Sequence, residues 1–481
     1  MPEAPRRACR GPIQGPLCLG LQKIWPSFLT SGISVRMALA LVPPSCSAPP
    51  SPKRAIPVRM ALALVPRLHR PLRSEGSPDV LRDRLAQHVE QSVLEFLDPD
   101  RIEAIAEDMR VIERKRVHHA GLLVCAFVLS AFERSTDTEG RLLDARITYN
   151  QLGGPESGKT SFRKMAHKLL PVLQRLLKRH LRRLAQNVDS VELGGRLSSF
   201  PDILIPDGCA FKLARALSGL YPGTGTEAEL KIHAVYSVKA SACVQEHRTA
   251  GSVHDSDGFW PTTWVPGALY LWDLGYQNNA RFLDAATAGA YVLQRLKDRA
   301  NPVVLASYGE TGCRRALAHE DGTPIRLSEA CEAGLVHHKP VLDLDVEITE
   351  KGRAVVARVV CIPHQGDDHY YLTTLPRELF SAHDIAELYR LRWEVELLFR
   401  NWKGALRLDE VRRLSHPKSL DVAVTASLLA AVLGREIQAG LERLAQQEAA
   451  QKAAAAPAAF PPGARVVTNG IRRQPAAGAQ R

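Results

Sequence analysis

The sequence predicts an α/β fold in which a helical segment precedes a domain built from strands and helices. Two short apolar runs, at residues 203–205 and 269–272, are typical of buried strands, and each leads to an aspartate. Residues 301–378 contain further apolar runs between turn-like clusters such as GDD and EKG, and these predict more strands. Apolar residues with helical spacing dominate the stretches before and after the strands. This alternation of strands and helices is typical of α/β domains.

Composition limits the class of protein. The 481 residues carry a formal net charge of +12, which favours a polyanionic partner such as nucleic acid, with an acidic membrane surface as the rival. The nine cysteines show no CxxC pair and no zinc-ligand spacing, so we expect reduced thiols and no structural zinc. The longest uncharged apolar stretch, residues 120–132, is too short to span a bilayer and predicts a buried helix. No membrane partner is therefore expected.

The most informative pattern is a quartet of polar residues near the C-terminal end. Tyr389, Arg392, Glu396 and Lys403 are separated by three, four and seven residues, and at about 100° per residue they fall within an arc of about 60° on one helix. The adjoining face is apolar, as a packed helix requires, at Leu388, Leu391, Val395, Leu398 and Trp402. A carboxylate that can hold a metal ion thus lies beside groups that can bind phosphate. A solvated helix face is the alternative.

The quartet resembles the Tyr-Arg-Glu-Lys signature of bacterial insertion-sequence transposases of the DDE class, in the insertion-sequence-four family. The resemblance implies that Glu396 is the last carboxylate of a metal-binding triad whose two aspartates lie upstream. Asp207, after the apolar run at 203–205, and Asp273, after the run at 269–272, match those positions. The implied fold is a ribonuclease H-like α/β catalytic domain with a mostly β insertion, preceded by a helical N-terminal domain.

With this resemblance the chain divides into four segments. Residues 1–77 are rich in Pro, Ser and Arg and contain the nonapeptide VRMALALVP twice, so we expect a disordered or over-extended N-terminal segment, with a targeting peptide as the alternative. Residues 78–195 are interpreted as a helical DNA-binding or accessory domain. Residues 196–445 form the implied catalytic domain, with its β insertion at about 301–378. The Ala/Pro-rich residues 446–481 are expected to form a disordered tail.

Three carboxylates suit phosphodiester chemistry. Cleavage and strand transfer need an activated water or 3′-hydroxyl next to a phosphorus whose developing charge is neutralised. Two divalent ions about 3.5–4 Å apart perform both tasks. Magnesium prefers oxygen ligands, so carboxylates suffice without histidine or thiolate. The resemblance therefore implies two Mg²⁺ ions, for which Mn²⁺ can substitute, bound by Asp207, Asp273 and Glu396.

The resemblance also implies what the protein binds and does. Tyr389, Arg392 and Lys403 would hold DNA phosphates near a transposon end, and Arg295 and Lys297 are further candidates for DNA contact. The implied reaction is cut-and-paste transposition, in which DNA is cut at terminal inverted repeats and joined to a target. The expected partners are double-stranded transposon ends and target DNA, with a homodimer in the synaptic complex. The expected location is the bacterial cytoplasm, at the nucleoid.

One motif indicates a different class of protein. GGPESGKT, residues 153–160, matches the P-loop pattern of nucleotide-binding proteins. A P-loop is entered from a buried apolar strand, whereas the preceding RLLDARITYNQLG contains scattered charged and polar residues. We therefore interpret the motif as a loop between helices and expect no bound nucleotide.

A second hypothesis concerns activity. Asp207, which directly precedes Gly208, also fits an ordinary turn when taken alone, and Asp273, before Leu-Gly, also fits a turn at a strand end. The sequence departs from the family pattern at Pro206, which cannot donate to a sheet ladder, at Cys209, where a small hydroxyl residue is usual, and at Leu274, where a basic residue is common. These departures leave the proposed ligands in place. They also keep open the alternative that the chain is a catalytically decayed, DNA-binding remnant of a transposase.

Overall fold

The structure, a computed structural model, describes residues 78–455 with short gaps. The gaps are at 112–117, 133–139, 187–192, 259–260, 262, 298, 310–311, 333–340 and 365–366. The predictions made for residues 1–77, and for the part of the tail beyond residue 455, lie outside the described residues.

Five helices precede the sheet in the described chain. They are α1 (Pro78–Phe96), α2 (Pro99–Asp108), α3 (Ala120–Leu129), α4 (Arg141–Gln151) and α5 (Lys159–Ala185). Asp98 begins α2, because its carboxylate accepts hydrogen bonds from the backbone N–H groups of Asp100 and Arg101. The apolar helix α3 is almost wholly buried. This burial confirms the prediction of a buried helix in that stretch.

Eleven strands of the described chain form one mixed sheet. The first five are β1 (Ile203–Leu213), β2 (Ala228–Ser237), β3 (Ala242–Ala250), β4 (Leu269–Trp272) and β5 (Tyr291–Arg295). The short helix α6 (Asp255–Gly258) follows β3, and α7 (Asn279–Thr287) connects β4 to β5. Strand β1 pairs antiparallel with β2 and parallel with β4, and β4 pairs parallel with β5. The mixed sheet with its helices confirms the predicted α/β class.

Asp207 lies within a strand and not at a strand end, so this detail of the prediction was wrong. Strand β1 continues to Leu213 because it keeps its antiparallel pairing with β2 over its whole length. Its parallel pairing with β4 covers only Ile203 and Leu204. Pro206 therefore lies beyond the parallel ladder and does not interrupt it.

The predicted β insertion extends the same sheet. Its strands are β6 (Val303–Tyr308), β7 (Arg314–Ala316), β8 (Ile325–Arg326), β9 (Leu342–Glu350), β10 (Arg353–His364) and β11 (Asp367–Thr373), with helix α8 (Leu327–Glu332) after β8. Strand β11 pairs antiparallel with β5, and β10, β9, β6 and β7 follow in that order. The insertion strands pair with the otherwise free edge of β5, which satisfies its backbone hydrogen-bonding groups.

The polar quartet lies on two helices and not on one continuous helix as predicted. Helix α9 spans Ala382–Tyr389, helix α10 spans Trp393–Gly404, and a 3₁₀ turn at Arg390–Arg392 joins them. The backbone stays in the right-handed helical region through this turn. The four side chains therefore remain on one side of the segment from α9 to α10, although the 3₁₀ turn changes the helical pitch between the two helices.

One hydrophobic core joins the N-terminal helices, the sheet and the C-terminal helix α11 (Pro417–Ala455). Helix α11 packs against α1, α3 and α5, and α5 also packs against β3. The predicted apolar face of the quartet segment packs into this core, at Leu388, Leu391, Val395, Leu398 and Trp402. The helical segment and the sheet are thus held together by shared apolar burial.

The C-terminal helix is longer than predicted. The sequence predicted a disordered tail from residue 446, whereas α11 extends to Ala455. The physical reason is the alanine-rich composition of residues 449–455, since alanine has the highest helix propensity. Neither α11 nor any other helix in the described ranges combines the length and apolar character needed to cross a membrane.

The P-loop-like motif lies between two helices. Helix α4 ends at Gln151, and α5 begins at Lys159. A helix therefore occupies the position from which a strand enters a P-loop. Gly154 packs against the ring of Tyr149, where a Cβ would be only 2.4 Å from ring atoms. This close packing gives the glycine a structural role in the loop.

A buried charge network connects the insertion to the helix that begins the quartet segment. Arg358 on β10 donates from Nε and Nη2 to the two carboxylate oxygens of Asp343, at 2.8 and 2.6 Å. Its Nη1 donates to the Phe380 carbonyl at 2.7 Å. The next residue, Ser381, begins α9 in a capping box with Asp384. The network therefore fixes the start of the helix pair that carries the quartet.

Replacing Arg358 with methionine should destabilise the protein strongly. Arg358 is only 5% exposed, so its loss leaves the Asp343 carboxylate partly buried without its bidentate partner. We expect the free energy of unfolding to fall by about 3–5 kcal/mol. Arg353→Met is the matched control, because Arg353 is 48% exposed and its pair with Asp284 should contribute less than about 1 kcal/mol. Equal losses for both variants in urea unfolding would contradict the assigned role.

Candidate active site

Asp207 and Asp273 lie at the same level along two neighbouring parallel strands, β1 and β4. The parallel register places Ile203 opposite Leu269 and Leu204 opposite Tyr270. Continued by three residues, this register sets Asp207 level with the residue that follows β4, which is Asp273. The C-terminal ends of parallel strands are a common location for ligand sites in α/β proteins. The backbone thus brings together two carboxylates that are far apart in the sequence.

The guanidinium of Arg392 lies among three carboxylates. Its Nη2 is 2.6 Å from Oε1 of Glu396, which lies one helical turn further along α10. Its Nη1 is 3.3 Å from Oδ2 of Asp207, and its Nε is 3.8 Å from Oδ1 of Asp273. The structure therefore brings the three predicted carboxylates together around one cation. We refer to Asp207, Asp273 and Glu396 as the carboxylate triad.

The surroundings of Asp207 raise the pKa of its carboxyl. Burial is the main cause that raises the pKa of Asp207 to about 7, and the charges of Asp273 and Asp255 act in the same direction. A hydrogen bond from the Gly208 N–H to Oδ1, at 2.7 Å, and the charge of Arg392 oppose this rise in pKa. Burial, more than the neighbouring charges, therefore disfavours the ionised form of Asp207. A carboxyl with a raised pKa among other acids is typical of functional sites.

Tyr389 lies beside the end of β4. Its hydroxyl donates to the carbonyl of Trp272 at 3.3 Å, and its ring centre is 5.2 Å from that of Tyr371. Burial, followed by the negative charge of Asp273, raises the pKa of the Tyr389 phenol, while the positive charge of Arg295 opposes this. Tyr389 therefore remains protonated and can donate a hydrogen bond to a phosphate oxygen.

Lys403 lies further along the face of β1 that carries Asp207. Its ammonium group hydrogen-bonds to the thiol of Cys209 and is 5.6 Å from the ring centre of Phe211. Asp207, Cys209 and Phe211 alternate along β1 and hence point to the same face. The structure thus brings Lys403 to the triad side of the sheet.

The two further candidates for DNA contact are placed differently. Arg295 ends β5 and is close enough to Tyr389 for its charge to influence the phenol. Lys297 follows β5, and its backbone N–H donates to Oε1 of Gln277 in the loop after the second aspartate, at 2.8 Å. Arg295 therefore belongs to the surroundings of the triad, whereas Lys297 is tied to the same edge of the sheet through its backbone.

The donor set of the triad suits a divalent metal. Three carboxylates offer the oxygen ligands that Mg²⁺ and Mn²⁺ prefer. The guanidinium of Arg392 already occupies the space between them as a positive charge. In the part of the chain that the structure describes, no three His, Cys, Asp or Glu side chains are arranged to hold an ion as they stand. Metal binding by the triad would therefore require Arg392 to move aside.

Sequence reasoning missed an acidic side chain next to the triad. Asp255, the first residue of α6, forms an ion pair with Lys231 on β2 at 3.1 Å, and its charge acts on Asp207. Its two carboxylate oxygens lie against the backbones of Gly208 and Gly275. The available signal was the HDSDG stretch, but acidic residues beside glycine are common in turns. Only the fold distinguishes Asp255 from such residues.

Comparison with known proteins agrees with this geometry. Residues 198–432 match the family model described as the transposase DDE domain. This match includes all three residues of the carboxylate triad. It covers β1 to β11, the quartet segment and the first part of α11.

Several relatives are transposases of bacterial insertion sequences. The transposase for insertion sequence element IS421 of Escherichia coli is 34% identical over 126 residues, which is 26% of this chain. The chain spans 32% of the length of that relative. Longer matches occur with transposases of Bacillus thuringiensis. The transposase for insertion sequence element IS231F from subspecies israelensis is 23% identical over 379 residues. The match covers 70% of this chain and 77% of that relative. The transposase for IS231E from subspecies finitimus is 22% identical over 406 residues, 75% of this chain and 80% of the relative.

These comparisons confirm the family predicted from the quartet, and the narrower assignment to the insertion-sequence-four family is consistent with them. The matched domain contains both aspartate-bearing strands and the helix with Glu396. The long relatives extend the similarity beyond that domain. The domain at residues 198–432 therefore resembles the transposase DDE domains of bacterial insertion-sequence transposases.

Proposed function

We propose that the protein is a transposase that cuts DNA at the terminal inverted repeats of its element and joins the ends to target DNA, with divalent metal ions as cofactors. The observation that carries the proposal is the convergence of Asp207, Asp273 and Glu396 on one guanidinium. These carboxylates come from two strands and one helix. Separate elements can surround a reacting phosphate in a way that one contiguous motif cannot.

A ribonuclease H-like fold is part of this proposal. The mixed sheet supports it, because β1 and β4 run parallel and carry the two aspartates level with each other. The helical residues that precede the sheet are proposed as the accessory or DNA-binding part. Their shared core with the sheet supports a fixed position relative to the triad.

The proposed ligands of two Mg²⁺ or Mn²⁺ ions are the residues of the carboxylate triad. When bound, such ions activate the attacking oxygen and neutralise charge on the phosphate and on the leaving oxygen. The chain's contribution is to hold the carboxylates in place. Asp207 and Asp273 are held by a sheet that is buried on both sides of their strands, and Glu396 is held by a helix whose apolar face is buried.

Tyr389, Arg392 and Lys403 are proposed to hold the DNA backbone. The guanidinium of Arg392 can bind two phosphate oxygens at once, and an approaching phosphate would draw it away from the carboxylates. The protonated hydroxyl of Tyr389 can donate to another phosphate oxygen. Lys403 adds a charge further along β1, and Arg295 extends the basic surface beside Tyr389. Lys297 is a further proposed contact.

The proposed partners and location follow from this reaction. The substrates are double-stranded transposon ends and target DNA, and the net charge of +12 supports a polyanionic partner. We propose that a homodimer holds two ends together and that the protein acts in the bacterial cytoplasm, at the nucleoid. No nucleotide is required by this chemistry.

Replacing Glu396 with glutamine should abolish cleavage without abolishing DNA binding. The change removes one ligand charge and leaves the cationic groups in place, so we expect cleavage below about 1% of the wild-type rate. The measurement is cutting of labelled DNA that carries the element's own ends, with Mg²⁺ or Mn²⁺, next to a binding assay. Glu387→Gln is the matched control, because Glu387 pairs with Arg390 on the exposed side of α9. Binding without cutting by the wild type would favour a decayed remnant.

Replacing Arg392 with glutamine should raise the affinity of the free protein for Mn²⁺. The guanidinium competes with metal for the triad, so its removal should strengthen Mn²⁺ binding about tenfold, or by about 1.4 kcal/mol, while cleavage falls because a phosphate contact is lost. The control is Arg390→Gln, since Arg390 is 70% exposed and contacts Glu387. A weaker affinity for Mn²⁺ in the Arg392 variant would refute the competition.

Affinity for metal should depend on pH around neutrality. The pKa of Asp207 is raised to about 7, so the carboxyl is mostly protonated at pH 6 and ionised at pH 8. A protonated carboxyl binds metal poorly, and we therefore expect Mn²⁺ affinity about tenfold lower at pH 6 than at pH 8. Titration of the DNA-free protein with Mn²⁺ measures this. An affinity that stays constant over this range would contradict either the titration of Asp207 near pH 7 or its role as a metal ligand.

A further inference from the structure

A second polar cluster lies on the opposite face of β1 from the triad, and the proposed reaction does not use it. Its members, which we call the rear cluster, are Lys231 and His233 on β2, Thr249 on β3, Asp255 on α6 and Tyr276. On β1, Gly208 pairs with His233, whereas its neighbour Asp207 pairs with Ala234. Successive residues of a strand point to opposite faces, so His233 lies on the face away from the Asp207 side chain.

Hydrogen bonds link Tyr276, His233 and Thr249 of the rear cluster in a chain. The hydroxyl of Thr249 donates to the Ala250 carbonyl at 3.2 Å, so its oxygen accepts from Nε2–H of His233 at 2.9 Å. With its proton on Nε2, His233 accepts at Nδ1 from the hydroxyl of Tyr276, at 2.9 Å. Burial lowers the pKa of His233 to about 4, which keeps the ring neutral. The Tyr276 hydroxyl is thereby held in a fixed position.

Asp255 is held in place by a separate contact. The ammonium of Lys231 donates to the Val253 carbonyl at 2.7 Å and lies 3.1 Å from Oδ1 of Asp255. Lys231 is 14% exposed, and Asp255 is 34% exposed. The ion pair therefore fastens the loop before α6 to the sheet and directs the Asp255 carboxylate towards β1.

Asp255 and the Tyr276 hydroxyl leave little space beside Gly208, and Asp255 leaves little space beside Gly275. A Cβ added to Gly208 would lie 3.0 Å from Oδ1 of Asp255 and 3.1 Å from the Tyr276 hydroxyl. A Cβ added to Gly275 would lie 3.2 Å from Oδ2 of Asp255. Gly208 directly follows Asp207, and Gly275 is two residues after Asp273. One carboxylate therefore lies between the two backbone segments that present the two proposed ligands.

We propose that the rear cluster positions Asp207 and Asp273 for divalent metal, with Asp255 and Tyr276 as positioning residues that set the separation of the two carboxylates. The inference rests on the proposed function of the triad. The rear cluster would act through the backbone, because Asp255 and the Tyr276 hydroxyl lie next to Gly208 on the face of β1 away from the Asp207 side chain. Residues that orient metal ligands without binding the metal themselves commonly contribute 10–100-fold to metal affinity or activity.

The test compares Tyr276→Phe and Asp255→Asn in the full-length protein. Tyr276→Phe removes the hydrogen bond to His233 at nearly constant volume, and Asp255→Asn removes the ion pair with Lys231. The matched controls are Tyr270→Phe, which removes a buried hydrogen bond from the Val265 N–H, and Asp284→Asn, which removes a pair with Arg353. Mn²⁺ binding without DNA is measured by electron paramagnetic resonance, and cleavage of end DNA is measured against Mn²⁺ concentration.

We expect each test variant to weaken Mn²⁺ binding about tenfold and to raise the Mn²⁺ concentration for half-maximal cleavage by the same factor. The cleavage rate at saturating Mn²⁺ should stay within about twofold of wild type, since the ligands remain. A purely structural role would instead lower cleavage at every Mn²⁺ concentration, as a partly unfolded sample does. Thermal unfolding of all variants, with the two controls as reference, measures that contribution separately.

The outcomes separate this inference from the proposed function. Unchanged Mn²⁺ affinity in both test variants, with a wild type that binds metal and cuts DNA, would overturn the inference and leave the function intact. A wild type that binds Mn²⁺ but does not cut, with weaker binding in both variants, would support the rear cluster and overturn the proposed activity. A wild type that neither binds Mn²⁺ nor cuts end DNA at any Mn²⁺ concentration would overturn both.

Discussion

Three carboxylates can lie together at the edge of an apolar sheet only if positive charge lies between them. Two unit charges at 4 Å interact with about 4 kcal/mol at an effective dielectric constant of 20, so uncompensated acids would force the site apart or remain protonated. Arg392 provides the compensating charge in the DNA-free protein and contacts all three acids. The pKa of Asp207 is nevertheless raised, mainly by burial and also by the charges of Asp273 and Asp255. A bound cation would therefore favour the ionised form of Asp207.

The same arginine explains why metal and DNA binding belong together in the proposed reaction. A guanidinium suits phosphate as well as carboxylate, because its planar donors match two oxygens at once. While it bridges the acids, it occupies the space that a metal ion would need. When a phosphate draws it away, the acids become available to the ion. In this proposal the quartet couples the arrival of the substrate to assembly of the cofactor site, and no separate regulatory element is needed.

Contacts between residues that are far apart in the sequence set the positions of the carboxylate triad. Strands β1 and β4 set the two aspartates level, and the start of α9 is fixed to the insertion through Arg358 and the Phe380 carbonyl. The insertion therefore helps to position α9, which leads through the 3₁₀ turn into the helix that carries Glu396, α10. On the opposite face of β1, Asp255 and Tyr276 of the rear cluster fill the space next to Gly208, and Asp255 also lies near Gly275. Asp207, a proposed metal ligand, thus lies on one face of β1, and the rear cluster proposed to position it lies against the other face.

The sequence by itself determined the α/β class, the buried helix α3, the apolar face of the quartet segment and the residues that meet at Arg392. These features depend on local periodicity, or on a motif whose informative part lies within one short segment and its family resemblance. The tertiary structure alone decided that β1 continues past Asp207, that the insertion strands extend the same sheet, and that a 3₁₀ turn divides the quartet between two helices. It alone brought Asp255 and Tyr276 behind the aspartates. The physical reason is that strand pairing and packing join residues that are distant along the chain, and no local pattern encodes which partners will meet.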